Sequence, residues 1–157
     1  MCIRDREYIS RMDADDIMSP IKIASLLSAC DNKNSISTGL VTYFSDAVLG
    51  QGYKKYADWL NTNLQTENPF LEIYKECVVP SPCWMMHREA LDSIGAFDEN
   101  RYPEDYDLTF RMRNGGLELK LVDKILHHWR DYPERSSRTD ENYACLLYTS
   151  PSPRDRG

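Results

Sequence analysis

Apolar and polar positions along the chain recur in two different periods. Glu7–Met12 (EYISRM) is a short apolar-rich run cut off by Asp13-Ala14-Asp15-Asp16, and it reads as the end of a strand. Ser19-Pro20 supplies an N-cap followed by a proline suited to the first helical position. Ile23, Leu26, Leu27 and Cys30 then recur at the spacing of one helix face, until Asp31-Asn32-Lys33-Asn34 ends it. Ser35–Phe44 is rich in β-branched and aromatic residues and predicts a strand that Gly39 weakens. Helical spacing returns over Tyr53–Leu64, with Tyr53, Tyr56, Leu60 and Leu64 on one side and Trp59 alongside. Asn68-Pro69 breaks the chain, and Phe70–Val79 fits a helix or a strand equally. Pro80-Ser81-Pro82 is a rigid extended turn, Cys83–His87 a short buried strand, and Arg88–Ile94 a short helix with Gly95 at its C-cap. Pro103 opens a further helix, Glu104–Arg113, closed by Asn114-Gly115-Gly116. Glu118–Val122 and Lys124–Trp129 predict strands, and Arg130–Ala144 is polar and loop-rich. This alternation of strand and helix is the pattern of a layered α/β domain.

Composition narrows the picture. The chain has 157 residues and a net charge of −6, with Asp+Glu 25 against Lys+Arg 19. That balance argues against a bulk electrostatic footprint for nucleic acid or an anionic membrane. No apolar run approaches the ~20 residues of a membrane helix, and no signal peptide opens the sequence.

The two ends carry a signal of another kind. Met1-Cys2-Ile3-Arg4-Asp5-Arg6 can be encoded by ATG TGT ATA AGA GAC AG plus one base. The reverse complement, read from its second base, encodes Cys-Leu-Leu-Tyr-Thr and starts a Ser codon, matching Cys145-Leu146-Leu147-Tyr148-Thr149-Ser150. The element resembles a transposase-type sequencing adapter, whose continuation gives Pro151-Ser152-Pro153-Arg154-Asp155. Residues 1–6 and 145–157 are therefore expected to be adapter artefact, leaving 7–144 as an internal fragment of a larger domain. The excision removes Arg4, Arg6, Arg154 and Arg156 against Asp5 and Asp155, so the net charge moves from −6 to −8. Cys30, Cys77 and Cys83 remain, an odd number without metal spacing, which suggests reduced thiols.

Two acidic clusters carry the candidate chemistry. Asp13-Ala14-Asp15-Asp16 stands where a strand gives way to a helix. Three carboxylates in four residues repel one another unless a cation or water intervenes. Beyond a strand's carboxyl end they suit a divalent ion that completes its shell from substrate phosphates. The same residues also suit a helix N-terminus. A calcium loop fails on spacing: with Asp13 first, position 6 is Met18 and position 12 is Ala24. Glu104-Asp105-Tyr106-Asp107 opens another helix, where its carboxylates serve either the helix dipole or a general base.

Tyr8 to Asp16 (YISRMDADD), followed by Ser19-Pro20, resembles the DxD region of family 2 glycosyltransferases. Cys83–Arg88, then Ile94-Gly95-Ala96-Phe97-Asp98-Glu99, then Glu104–Met112 resemble the acceptor half of the same family, in the same order. Trp129-Arg130-Asp131 and Arg135-Ser136-Ser137-Arg138-Thr139-Asp140 resemble a tail found in a bacterial subset. The resemblance implies a GT-A fold, here without its N-terminal nucleotide-binding strands, a nucleotide-diphosphate sugar donor, a glycan or glycolipid acceptor, and Mn²⁺ or Mg²⁺. It implies Asp15 and Asp13 at the metal, with Asp13 also toward the donor ribose. It implies Asp105 as the base with Glu104 beside it, in an inverting displacement. Asp16 is expected to support the helix start. The resemblance also implies a late histidine as a metal ligand, for which His128, before the Trp-Arg pair, is the candidate, and only one of His127 and His128 can face the site. Trp84 is a candidate for stacking on a sugar, and Arg130, Arg135 and Arg138 for diphosphate.

The fragment itself is expected to be inactive, and the parent enzyme cytoplasmic or peripheral at the inner face of the membrane. The alternatives are a glycan- or nucleotide-binding module that has lost catalysis, and a metal-dependent nucleotidyltransferase or phosphohydrolase. No zinc spacing and no G-x-S-x-G nucleophile elbow appears.

Overall fold

A computed structural model describes residues 6–46, 48–98 and 103–132. Its strands are β1 (Tyr8–Ser10), β2 (Ile17–Met18), β3 (Ser35–Phe44), β4 (Trp84–His87) and β5 (Glu118–Arg130). Its α-helices are α1 (Lys22–Ala29), α2 (Gln51–Leu64), α3 (Arg88–Ser93) and α4 (Glu104–Asn114). The strands form one mixed sheet in the order β1-β4-β3-β5-β2. β3 and β5 pair in parallel, and β4 runs antiparallel to both β1 and β3. β1, β3 and β5 therefore point the same way, and their carboxyl ends share one edge of the domain. Ligands of open α/β sheets bind beyond that edge.

Two apolar clusters flank the sheet. Leu26 of α1 and Tyr56, Leu60 and Leu64 of α2 pack with Val41, Tyr43, Met85 and Trp129. Ala90 and Leu91 of α3 and Leu108 and Met112 of α4 pack with Ile36, Trp84 and Met86. Val41 and Tyr43 of β3 serve the first cluster and Ile36 the second, as the twofold alternation of a strand requires.

Three expectations are corrected. α1 presents Lys22, Leu26 and Cys30 to the interior, while Ile23 and Leu27 are each 46% exposed. The buried stripe is thus rotated from the expected one, because Lys22 finds polar partners inside. The two expected C-terminal strands are a single strand, β5. Its pairing with β3 slips on either side of Leu40, where Val122, Ile125 and His127 meet Gly39, Leu40 and Val41 in turn. The polar Asp123-Lys124 step is accommodated as a bulge and does not end the strand. The ambiguous Phe70–Val79 stretch is neither helix nor strand; a 3₁₀ turn over Pro69–Glu72 leads into it, with Ile73, Val78 and Val79 buried.

Gly39 has a steric reason to be glycine. A Cβ there would stand 2.5 Å from Cδ1 and 2.7 Å from Cγ of Leu126, a fully buried side chain. Gly39→Ala is expected to destabilise the fold by about 1–3 kcal/mol, the usual cost of overpacking. Urea unfolding measures this, and a loss below about 0.5 kcal/mol would show that β5 yields freely at the bulge.

Candidate active site

The acidic turn follows β1 and is bound to the end of β5. Asp16 is buried, its side chain 2% exposed, with both oxygens occupied. The Arg130 backbone N–H donates to Oδ1 and the His127 ring meets Oδ2 through Nε2, each at 2.8 Å. Arg130 also donates through Nε to the Asp15 carbonyl at 3.0 Å and through Nη1 to Asp46 at 2.7 Å, and its guanidinium lies 4.6 Å from the centre of the Phe44 ring. Arg130 is thus committed to the turn and the β3 terminus. Asp16 does not cap α1, whose flanking residue Ile21 makes no side-chain cap. Its role as helix support is replaced by one of joining the turn to the sheet.

Of the two adjacent histidines, His127 is the one joined to the acidic turn. It is fully buried, and its Nδ1 lies 3.0 Å from Lys22 Nζ. His128 is half-buried on the other side of β5, since successive strand residues face opposite ways. Burial pushes the Lys22 ammonium below the usual lysine range, and the negative charges of Asp16 and Asp13 oppose that shift.

Asp15 is exposed, and its carboxylate makes no hydrogen bond or ion pair with another described residue. Asp13 is half-buried and lies 3.5 Å from Arg11 Nε. Arg11 Nη2 lies 3.2 Å from Glu104 at the start of α4, and the guanidinium stands 5.9 Å from the centre of the Phe97 ring. Arg11 therefore brings two acidic segments ninety residues apart into one site and offsets their mutual repulsion. Burial pushes the Asp105 carboxyl above the ordinary carboxylate range; Glu104 adds to the shift and Arg11 opposes it. Its Oδ1 accepts the Tyr106 backbone N–H at 2.8 Å. α4 is held below by the Tyr106 hydroxyl, which donates to the Ile73 carbonyl, and by Thr109, whose Oγ1 lies 3.3 Å from Cys77 Sγ.

Trp84 is 2% exposed and packs in the second cluster, with Phe97 6.4 Å away, so its ring has a core role. Arg138 and Arg135 fall outside the described residues. His87 caps α3, its Nδ1 accepting the Glu89 N–H at 3.1 Å. Cys30, Cys77 and Cys83 are free and buried, and burial pushes the Cys77 and Cys83 thiols up, which disfavours a nucleophilic thiolate.

Sequence reasoning missed Arg11, Lys22 and the inward turn of His127. Lys22 had a legible signal, since it lies in helical phase with Leu26 and Cys30. Arg11 had none, because its partner Glu104 is distant in the chain.

Among the described residues no group of three or more His, Cys, Asp or Glu side chains is placed to hold a metal. One free carboxylate, with Asp13 beside it on the same turn, suits an ion that takes most of its ligands from phosphate and water.

A family model described as glycosyl transferase family 2 matches residues 4–95, more than half of the chain. The chain belongs to that family, and its mixed α/β sheet is compatible with a GT-A-type fold. Membership implies sugar transfer from a nucleotide-sugar donor to an acceptor. The match takes in the Asp13–Asp16 turn and stops before Glu104, so geometry alone links α4 to the family site. A search of curated proteins returns no match. No helix among the described residues is long and apolar enough to cross a membrane.

The raised Asp105 carboxyl has a consequence for stability. The fold favours its protonated form, so stability is lost as pH rises from the unfolded toward the folded pKa and stays lost above it. Asp105→Asn, which keeps the acceptor for Tyr106, is expected to raise Tm at pH 7, with the gain shrinking toward pH 4. Thermal melts at both values measure this, and no gain at pH 7 would contradict the burial of a charged Asp105.

Proposed function

We propose that the enzyme carrying these residues transfers a sugar from a nucleotide-diphosphate donor to an acceptor hydroxyl, with Mn²⁺ or Mg²⁺, by inverting displacement at the anomeric carbon. The observation that supports this best is the Arg11 bridge, which sets the Asp13–Asp16 turn beside the start of α4. Asp15 and Asp13 would hold the ion, which when bound neutralises charge on the departing diphosphate. Asp13 also faces the donor. Asp105 takes the proton from the acceptor hydroxyl as its oxygen attacks. A carboxyl raised by burial is suited to that task, because general-base efficiency rises as the pKa approaches the working pH. Glu104 holds Arg11, which keeps part of the Asp105 charge compensated. The acceptor is a glycan or glycolipid, and the setting is the cytoplasm or the inner face of the membrane.

Donor turnover with a panel of nucleotide sugars tests the assignment. Asp105→Asn is expected to lower kcat by about 10²–10⁴-fold, the usual contribution of a positioned base. Asp15→Ala is expected to abolish the response to added Mn²⁺. Turnover unchanged in Asp105→Asn would remove the base assignment, and turnover indifferent to both chelator and Asp15→Ala would remove the metal.

A further inference from the structure

Asp16, His127 and Lys22 form a continuous chain of buried polar groups, from the acidic turn through β5 to α1. Their side chains are almost wholly enclosed, and no step of the proposed transfer uses them. Lys22 Nζ donates to the Pro82 carbonyl at 2.6 Å and to His127 Nδ1 at 3.0 Å. An ammonium has donors only, so Nδ1 accepts, and the imidazole keeps its hydrogen on Nε2. That hydrogen points to Asp16 Oδ2 at 2.8 Å, while Oδ1 takes the Arg130 N–H. Lys22 and Asp16 are thus joined through one imidazole in an enclosed interior, where a buried polar group is costly unless its partners are present.

The other ties to the turn are partly exposed polar contacts and a short ladder. β2, which follows the turn, has only Ile17 and Met18, both about half exposed, so apolar burial contributes weakly there. The remaining ties are the Arg130 Nε–H bond to the Asp15 carbonyl at 3.0 Å, the Arg11–Asp13 pair, and backbone bonds from the Ser19 N–H to the Leu126 carbonyl at 2.9 Å and along the short β2–β5 ladder.

We propose that Lys22 and His127 are positioning residues that act through Asp16 to hold the Asp13–Asp16 turn, so that Asp15 is presented to a metal-bound diphosphate. This rests on the reading of Asp15 as a donor-side metal ligand. Neither Lys22 nor His127 touches the ion or the diphosphate. Their effect is on where the turn sits. Groups that orient metal ligands from behind are typically worth about 10–100-fold in metal affinity.

Two measurements on the full chain test the proposal. Long-range ¹H–¹⁵N spectra at pH 7 report the His127 tautomer. The expected state is Nε2–H with Nδ1 as acceptor, and an Nδ1–H ring would overturn the chain of bonds. Binding of Mn²⁺ with inorganic pyrophosphate, read by electron paramagnetic resonance of free Mn²⁺, needs no knowledge of sugar or base. Asp15→Ala is expected to abolish binding, and His127→Phe and Lys22→Met to weaken it about 10–100-fold. His127→Gln, which keeps an amide donor for Asp16, is expected to recover part of the loss. It also decides the matter if His127→Phe does not fold. Wild-type affinity in folded His127→Phe or His127→Gln and in Lys22→Met, with Asp15→Ala still defective, would overturn the positioning role alone. Failure of the unsubstituted chain to bind, or indifference to Asp15→Ala, would overturn the metal reading and the role built on it.

Discussion

A carboxylate that is taken out of water must have partners, and the candidate site depends on how Asp16 finds them. Both of its oxygens are satisfied by the last residues of β5, one through the Arg130 backbone and one through His127. This fixes the segment after β1 beside the carboxyl end of β5, across β3 and β4 in the sheet order. Asp13 and Asp15 are carried to that edge with it. Three parallel-running strands end there, so the acidic turn lies where an α/β sheet leaves a crevice. The buried lysine completes the arrangement from the opposite end of the imidazole, 3.0 Å from Nδ1.

The second constraint is electrostatic. Placing Glu104 and Asp105 near Asp13 concentrates negative charge, and Arg11 is the cation that permits it. Its guanidinium is shared between the two segments and half-buried, so it is less screened than a surface ion pair. The consequence is a difference between the two carboxylates. Asp105 is poised by burial while Asp15 remains exposed, giving the two sides of the site carboxylates of different character. Divergent environments for nearby carboxylates are the usual way that one site holds both a charged ligand and a base.

Much of the fold was legible because its elements obey simple periods. Ser35–Phe44 and the buried face of α2 emerged with the residues that the alternation predicts. The family likewise followed from ordered motifs, and the matched region includes the first of them. The departures have specific physical causes. α1 turns Lys22 inward because a histidine and a carbonyl from distant parts of the chain receive it, and periodicity cannot register such partners. β5 continues through Asp123-Lys124 because a glycine opposite admits Leu126. Asp16 looked like a helix-start residue because its true partners lie more than a hundred positions away.

The turn after β1 and the start of α4 are joined through Arg11. Paramagnetic broadening of amide signals by Mn²⁺ bound with pyrophosphate tests it directly. If the two segments form one site, the signals of Glu104–Asp107 broaden along with those of Asp13–Asp16, while those of Asn34 and Gly116, at the opposite end of β3 and β5, stay sharp. Broadening confined to the acidic turn, with Glu104–Asp107 unaffected, would contradict it.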